Sequence, residues 1–204
     1  MSDEKWVDRI NNLKQAYYIK ASKQKFIQLL LSGKMSPKLY ATYLWNQHKR
    51  YDLLETVAES NGTFSCFDNN IETIKRKSKI LEDYNELWTE NNPAPVVNST
   101  NEYIKHFKEI MHNNTALMGH MYSLYIGTIE NGEDLSKLTP GAGRLYKFDD
   151  DKLKLKKQLT HNGLRESIET PEEVTPLISI AEKEIEYVFD QSIKLCEELM
   201  ELDF

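Results

Sequence analysis

Apolar side chains recur every three or four residues along most of the chain, which is the spacing of an amphipathic α-helix. No segment shows the strict alternation that is typical of a half-buried strand. The pattern therefore predicts an all-α fold of six to eight helices, with residues 1–204 forming one domain. The predicted helical segments are 4–31, 36–60, 70–88, 101–130 and 152–168, and a last helix that starts at Thr170–Pro171.

Signals for helix ends accompany this pattern. Gly33 suits the C-terminal cap of the first helix. Ser36 is a favoured N-terminal cap, and Pro37 suits the first helical position that follows. The dipeptide Asn61–Gly62 predicts the end of that second helix.

One helix carries two glycines in its interior, at Gly127 and Gly132 of the stretch YSLYIGTIENGEDL. A glycine inside a helix costs roughly 1 kcal/mol relative to alanine. Since it lacks a β-carbon, it also lets another group approach the backbone closely. The two glycines therefore predict a bend and a close approach at this part of the helix.

Charge and composition exclude several classes of function. The formal net charge of −6 argues against a nucleic-acid partner, because phosphate binding needs a basic surface. No apolar run reaches the roughly 18 residues of a membrane span, and the polar N-terminus lacks the apolar core of a secretory signal. Cys66 and Cys196 are predicted to be free buried thiols of a reducing compartment, which favours a cytoplasmic protein.

The stretch GHMYSLYIGTIENGEDL resembles the distal helix of heme oxygenases, with His120, Tyr122, Tyr125, Gly127 and Gly132 in the family's register. Four further stretches are similar to that family in the same order, namely KFIQLLLSGKMSPKLY, HKRYDLLETVAE, GAGRLYKFDD and FDQSIKLCEELM. The resemblance covers nearly the whole chain. It implies the heme-oxygenase-like all-α fold and a heme held between the first helix and the distal helix.

The resemblance also implies a set of site residues. Gly127, Thr128 and Gly132 occupy the positions that face the reacting side of the heme. Tyr18 and Tyr125 fall at heme-contacting positions. A basic group that pairs with a heme propionate in the family falls at His161, with Lys156 and Lys157 close by.

Two of these positions depart from the family. In the family, the iron-binding histidine lies eight residues before the phenylalanine that matches Phe26. This chain has Tyr18 at that position. Tyrosine can hold ferric heme, so Tyr18 is the candidate iron ligand. The distal aspartate, which organises the water that helps to activate O₂, is replaced by Thr128. His120 is interpreted as a hydrogen-bonded core residue.

Two functions remain open at this point. The first is a pseudo-oxygenase that binds heme, a bilin or a protein partner and has weak or lost heme-cleaving activity. The second is an active heme oxygenase that converts heme to biliverdin with O₂ and an electron donor, with Tyr18 on the iron. The family also allows a plastid stroma location, if a transit peptide precedes the chain.

Three further groups of residues allow other interpretations. Lys20, Lys154, Lys156 and Lys157 can hold carboxylates of a ligand or form a solvated helix face. The stretch YLWNQHKRYD is similar to thiaminase-type relatives of the fold, which need a nucleophilic cysteine. A di-iron oxidase of the same fold would draw on Glu55, Glu184 and Asp190.

Overall fold

The computed structural model describes residues 4–68, 71–168 and 174–203, which are almost entirely helical and contain no strand. The all-α fold class is therefore confirmed, while the single domain over residues 1–204 stays a prediction. The helices are α1 (Glu4–Ala21), α2 (Lys25–Leu31), α3 (Pro37–Ser60), α4 (Ile71–Ile74), α5 (Lys77–Leu87), α6 (Asn98–Ile110), α7 (Asn114–Leu138), α8 (Lys152–Lys157), α9 (Glu166–Ile168) and α10 (Val174–Leu199). Thr63–Cys66 and Arg144–Tyr146 form 3-10 turns, and Gln158–Arg165 is a π-helical segment that joins α8 to α9.

Helix α7 lies at the centre of this arrangement. It packs against α10, α3, α2 and α8, and α1 packs against α10. Almost every side chain from Thr115 to Ile126 is buried, so α7 is covered on all sides over this length instead of presenting one apolar stripe. The helix continues without interruption through Gly127 and Gly132 to Leu138.

The sequence signals at the start of α3 are confirmed. The Ser36 hydroxyl accepts a hydrogen bond from the Leu39 N–H at 3.2 Å, and Pro37 occupies the first helical position. Gly33 and Gly62 adopt φ angles of +68° and +71°. These left-handed conformations are ones that glycine adopts without a steric penalty.

Four predicted helices are each divided in two, which was not expected, and the described chain therefore has ten α-helices instead of six to eight. In the segment 152–168 the π-helical stretch Gln158–Arg165 separates α8 from α9. The segment 4–31 breaks after Ala21. The segment 101–130 breaks at Met111–Asn113, where the Asn113 side chain accepts the N–H of Ala116 and caps α7. Helix α7 then runs to Leu138, beyond the predicted end at residue 130.

The remaining break, within 70–88, has a tertiary cause. The carboxylate of Glu55 on α3 accepts the backbone N–H groups of Arg76 and Lys77, at 2.6 and 3.2 Å, and so caps the start of α5. The Arg76 guanidinium folds back onto the carbonyls of Thr73 and Ile74 at the end of α4. The predicted helix start at Thr170–Pro171 lies outside the described residues.

Among the residues that the structure describes, no helix has both the length and the apolar character that crossing a membrane requires.

Candidate functional site

A cleft of about 470 Å³ opens between α1 and α7. Helices α2, α3 and α10 complete its walls, and most of its lining is aromatic or aliphatic. Tyr17 and Tyr18 line it from α1, while Gly127, Thr128 and Asn131 line it from α7. Its volume lies within the range of natural small-molecule sites.

Tyr18 reaches across this cleft from α1 to α7. Its hydroxyl donates a hydrogen bond to Glu130 Oε2 at 2.9 Å. A β-carbon built on Gly127 would lie 3.9 Å from the same hydroxyl oxygen. Burial, together with the negative charge of Glu130, raises the pKa of Tyr18 well above its ordinary value, so the phenol keeps its proton.

Glu130 is the centre of a charged cluster beside the cleft. Its carboxylate accepts hydrogen bonds from Lys14 at 2.7 Å and from Tyr18, and it forms an ion pair with Lys156 at 2.5 Å. Burial acts to raise the pKa of this carboxyl, but the three donors outweigh it, and the pKa lies below the ordinary range. Glu130 is therefore ionised at neutral pH, and its hydrogen bonds with Lys14 and Tyr18 connect α7 to α1.

The two glycines of α7 have different surroundings. Gly127 lines the cleft, and among the described residues outside its own helix the Tyr18 hydroxyl is the one atom within 4 Å of a β-carbon placed there. Gly132 does not line the cleft. A β-carbon at Gly132 would lie only 2.4 Å from the backbone carbonyl oxygen of Tyr146 in the turn after α7, so this glycine is required for packing.

Thr128 and Tyr125 lie on different faces of α7. Thr128 lines the cleft and is buried, and its hydroxyl donates to the Tyr125 carbonyl at 2.8 Å. The Tyr125 side chain points away from the cleft and donates to Glu55 Oε1 at 2.7 Å. The structure thus places Thr128 beside Gly127 and Tyr18, and places Tyr125 in the core next to the cap of α5.

The basic residues of the candidate site do not converge on the cleft. Lys156 is bound to Glu130, and Lys157 and His161 are exposed on α8 and the π-helical segment, outside the cleft lining. Each of the five histidines of the chain lies in a described region, and none of them lines the cleft. The cleft therefore presents no imidazole to a ligand.

The two cysteines do not form a nucleophilic site. Both are buried, and burial raises the pKa of each thiol to about 12. Each thiol therefore stays protonated near neutral pH, which does not suit the thiaminase-type interpretation. The three carboxylates considered for a di-iron site do not meet either: Glu55 caps α5, Glu184 contacts two histidines, and Asp190 is exposed beside Lys20.

Sequence reasoning missed the charged partners of Tyr18. Lys14 precedes Tyr18 by four residues on α1, and Glu130 follows Gly127 by three on α7. Both spacings place the charged side chain on the same helix face as the cleft residue. The spacing alone therefore indicated that each charged residue shares a helix face with a cleft residue. It does not reveal that these two faces lie opposite each other in the fold.

Comparison with known proteins agrees with this architecture. The family model described as heme oxygenase matches residues 7–187. The chain belongs to the heme oxygenase family. A comparison with curated protein sequences gives no match.

Three solved heme oxygenases share the fold. The heme oxygenase-1 of Synechocystis sp. PCC6803, in complex with heme, superposes with a TM-score of 0.77 at 17% identity, over 95% of this chain and 91% of that chain. The heme oxygenase of Leptospira interrogans gives 0.77 at 20% identity, over 95% and 98%. The heme oxygenase-2 of Synechocystis sp. PCC 6803, in complex with heme and NO, gives 0.75 at 18% identity, over 96% and 85%.

The cleft of this heme oxygenase family member fits a tetrapyrrole in part. Its volume and its aromatic walls suit a flat apolar ring. The position for an iron ligand does not fit as it stands. Tyr18 is protonated, and its hydroxyl is held by Glu130 of α7, beside the cleft.

Proposed function

We propose that this protein binds a tetrapyrrole, either heme or a bilin, in the cleft between α1 and α7, and that it cleaves heme slowly or not at all. The hydrogen bond from Tyr18 to Glu130 carries the proposal. It engages the side chain that stands at the family's iron-ligand position, and it does so from the opposite side of the cleft.

Burial of the apolar ring is the driving force for binding. Aromatic side chains of three helices face the cleft, including Tyr17, Tyr43 and Phe189. Transfer of a flat apolar ligand from water to such walls is favourable without any bond to iron. Entry of the ring requires Tyr18 to leave Glu130, which keeps its ion pairs with Lys14 and Lys156.

The distal wall lacks the acid–base group that heme cleavage requires. The Thr128 hydroxyl donates a hydrogen bond to the Tyr125 carbonyl, so its hydrogen is already engaged. Asp134 also lines the cleft, but its side chain is 91% exposed and lies 3.8 Å from Lys137 at the mouth. The ionised Glu130 carboxylate does not line the cleft and is already bound to Lys14, Lys156 and Tyr18.

Hemin titration followed by a single-turnover reaction tests the proposal. Purified protein is titrated with hemin, and ascorbate is then added in the presence of O₂ while the Soret band and biliverdin absorbance are followed. We expect saturable binding, a Soret band unlike that of an imidazole-ligated heme, and little or no biliverdin. Stoichiometric biliverdin within minutes would overturn the proposal.

An active heme oxygenase with Tyr18 as the iron ligand is the second candidate. One observation favours it: Tyr18 lines the cleft from α1 at the position of the family's iron ligand, and tyrosine can hold ferric heme. The substitution Tyr18→Phe separates the two functions. It abolishes hemin turnover and changes the Soret band if Tyr18 is the ligand. In the proposed function it leaves turnover absent and does not weaken hemin binding.

A further inference from the structure

Two histidines and a glutamate converge away from the cleft, on three different helices. The Glu184 Oε2 atom of α10 lies 2.6 Å from His106 Nε2 of α6 and 3.0 Å from His120 Nε2 of α7. The three ligand atoms all lie within 4.8 Å of one another. No residue of this cluster lines the cleft.

The cluster is built into the core. His120 and Glu184 are 0% and 3% exposed, and a β-carbon on Gly119 would lie 3.3 Å from the Glu184 Cβ, so α7 and α10 are tightly packed at this point. The side chain of His106 is 21% exposed and gives the cluster a path to solvent. Its ring packs against that of Tyr187, with 4.0 Å between the centroids.

A hydrogen bond with Tyr103 orients the buried imidazole of His120. The hydroxyl of Tyr103, itself fully buried, lies 3.2 Å from His120 Nδ1. Metal-binding histidines characteristically use their other ring nitrogen in such a hydrogen bond, which holds the ring in place. The Nε2 atom of His120 is thereby directed at Glu184 and His106.

We infer that His106, His120 and Glu184 form a mononuclear site for a divalent transition metal ion, of which Zn²⁺ is the best match. Two imidazole nitrogens and a carboxylate oxygen are a ligand set that zinc uses, with water in the fourth position. With bonds of ~2.0 Å and tetrahedral angles, such ligand atoms stand about 3.3 Å apart. The observed contacts to Glu184 are shorter than this by less than 1 Å, so small side-chain shifts suffice.

Metal binding moves one proton within the cluster. Without an ion, the Glu184 carboxylate accepts from His120 Nε2–H, because an ionised carboxylate can only accept, and the unprotonated Nδ1 then accepts from the Tyr103 hydroxyl. With the ion on Nε2, the neutral imidazole carries its proton on Nδ1 and donates to the Tyr103 oxygen. The hydroxyl of Tyr103 turns from donor to acceptor, so the tautomer of His120 reports whether metal is bound.

Arg50 is a buried cation that contacts Tyr103, the residue that orients His120. Its guanidinium is buried and lies over the Tyr103 ring, with 4.5 Å from the central carbon to the ring centroid. A buried cation weakens the affinity of a neighbouring site for a second cation. The substitution Arg50→Met is therefore expected to strengthen zinc binding.

Equilibrium dialysis against ZnCl₂ tests the inference on tag-free protein that has first been stripped with a chelator. We expect one zinc per chain, and Co²⁺ in its place should give the intense visible bands of a tetrahedral site. Because His106 is partly exposed, His106→Gln is expected to fold, and circular dichroism checks this. It should weaken zinc binding by at least about 100-fold, and Tyr103→Phe should weaken it by roughly 10-fold.

His112→Gln is the matched control, since His112 is exposed just beyond the end of the same helix. It should leave zinc affinity unchanged. The inference is overturned if the wild-type protein takes up no stoichiometric zinc, in which case the cluster is a hydrogen-bonded triad only. It is also overturned if His106→Gln and His112→Gln bind zinc as the wild type does, because the metal then lies elsewhere. Neither result bears on the tetrapyrrole cleft.

Discussion

The hydroxyl of Tyr18 on α1 lies 2.9 Å from a carboxylate oxygen of Glu130 on α7, and this hydrogen bond joins the two helices between which the cleft opens. It connects the helix that holds the iron ligand in the family to the helix that covers the opposite heme face. Because Tyr18 lines the cleft, we expect a ring that enters the cleft to displace the phenol. The bond therefore opposes ligand entry, while the ion pairs of Glu130 with Lys14 and Lys156 remain.

Tyr18→Phe is expected to increase hemin affinity several-fold. The substitution removes a bond that entry must break, and two lysines still neutralise Glu130. The same change should lower the free energy of unfolding by about 1 kcal/mol, the value of one hydrogen bond. Hemin titration and urea denaturation measure the two effects. A drop in hemin affinity of tenfold or more would identify Tyr18 as an iron ligand.

Gly132→Ala and Gly127→Ala should have opposite effects on stability. Alanine at 132 would place a β-carbon 2.4 Å from the Tyr146 carbonyl oxygen, and we expect a loss of about 1–3 kcal/mol. Alanine at 127 meets only the Tyr18 hydroxyl at 3.9 Å, so helix propensity should add up to about 1 kcal/mol. Thermal and urea unfolding measure both.

The Gly127→Ala protein should nevertheless bind hemin more weakly than the wild type, because its new methyl group projects into the cleft. Gly132→Ala serves as the control for binding, since position 132 does not line the cleft. Equal hemin affinity for the wild type and Gly127→Ala would mean that the ring does not lie against this part of α7.

The Glu130 cluster should make the free energy of unfolding depend on pH in the acid range. The pKa of Glu130 is lower in the folded protein than its ordinary value of 4.5. Its contribution to stability is therefore complete above pH 4.5 and is lost as the pH falls through the folded pKa. Urea denaturation at a series of pH values should show this loss in the wild type and a smaller one in Glu130→Gln. Parallel curves for the two proteins would contradict the assignment.

Arg50→Met should keep the protein as stable as the wild type or raise the free energy of unfolding by roughly 1–2 kcal/mol. Arg50 is 1% exposed, and its Nε and Nη1 atoms have no hydrogen-bond partner among the residues that the structure describes. Its Nη2 atom reaches only Ser192 and the Val188 carbonyl. Replacing an unpaired buried charge with an apolar side chain of similar length removes the desolvation cost. A loss above 1 kcal/mol by urea denaturation would show that the contact with Tyr103 outweighs that cost.

Helix ends that depend on local chemistry were predictable from the chain. The cap at Ser36, the proline after it and the left-handed Gly33 each act within one helical turn, so the signal and its structure are neighbours in sequence. The break between α4 and α5 was not predictable. Its cause is Glu55, which lies about twenty residues earlier and reaches the start of α5 only once α3 is packed beside it.

The candidate site likewise has features that the sequence predicted and features that it did not. The order of motifs and the spacing of Tyr18, Gly127 and Thr128 indicated the family and the two helices that form the cleft. The sequence alone also determined the all-α class, because hydrophobic periodicity is a local property of each segment. Only the tertiary structure decided that Tyr125 points into the core, that Gly132 serves packing, and that Tyr18 is bound to Glu130. These outcomes depend on which helix faces which, and hydrogen bonds between residues far apart in the chain leave no periodic signal in the sequence.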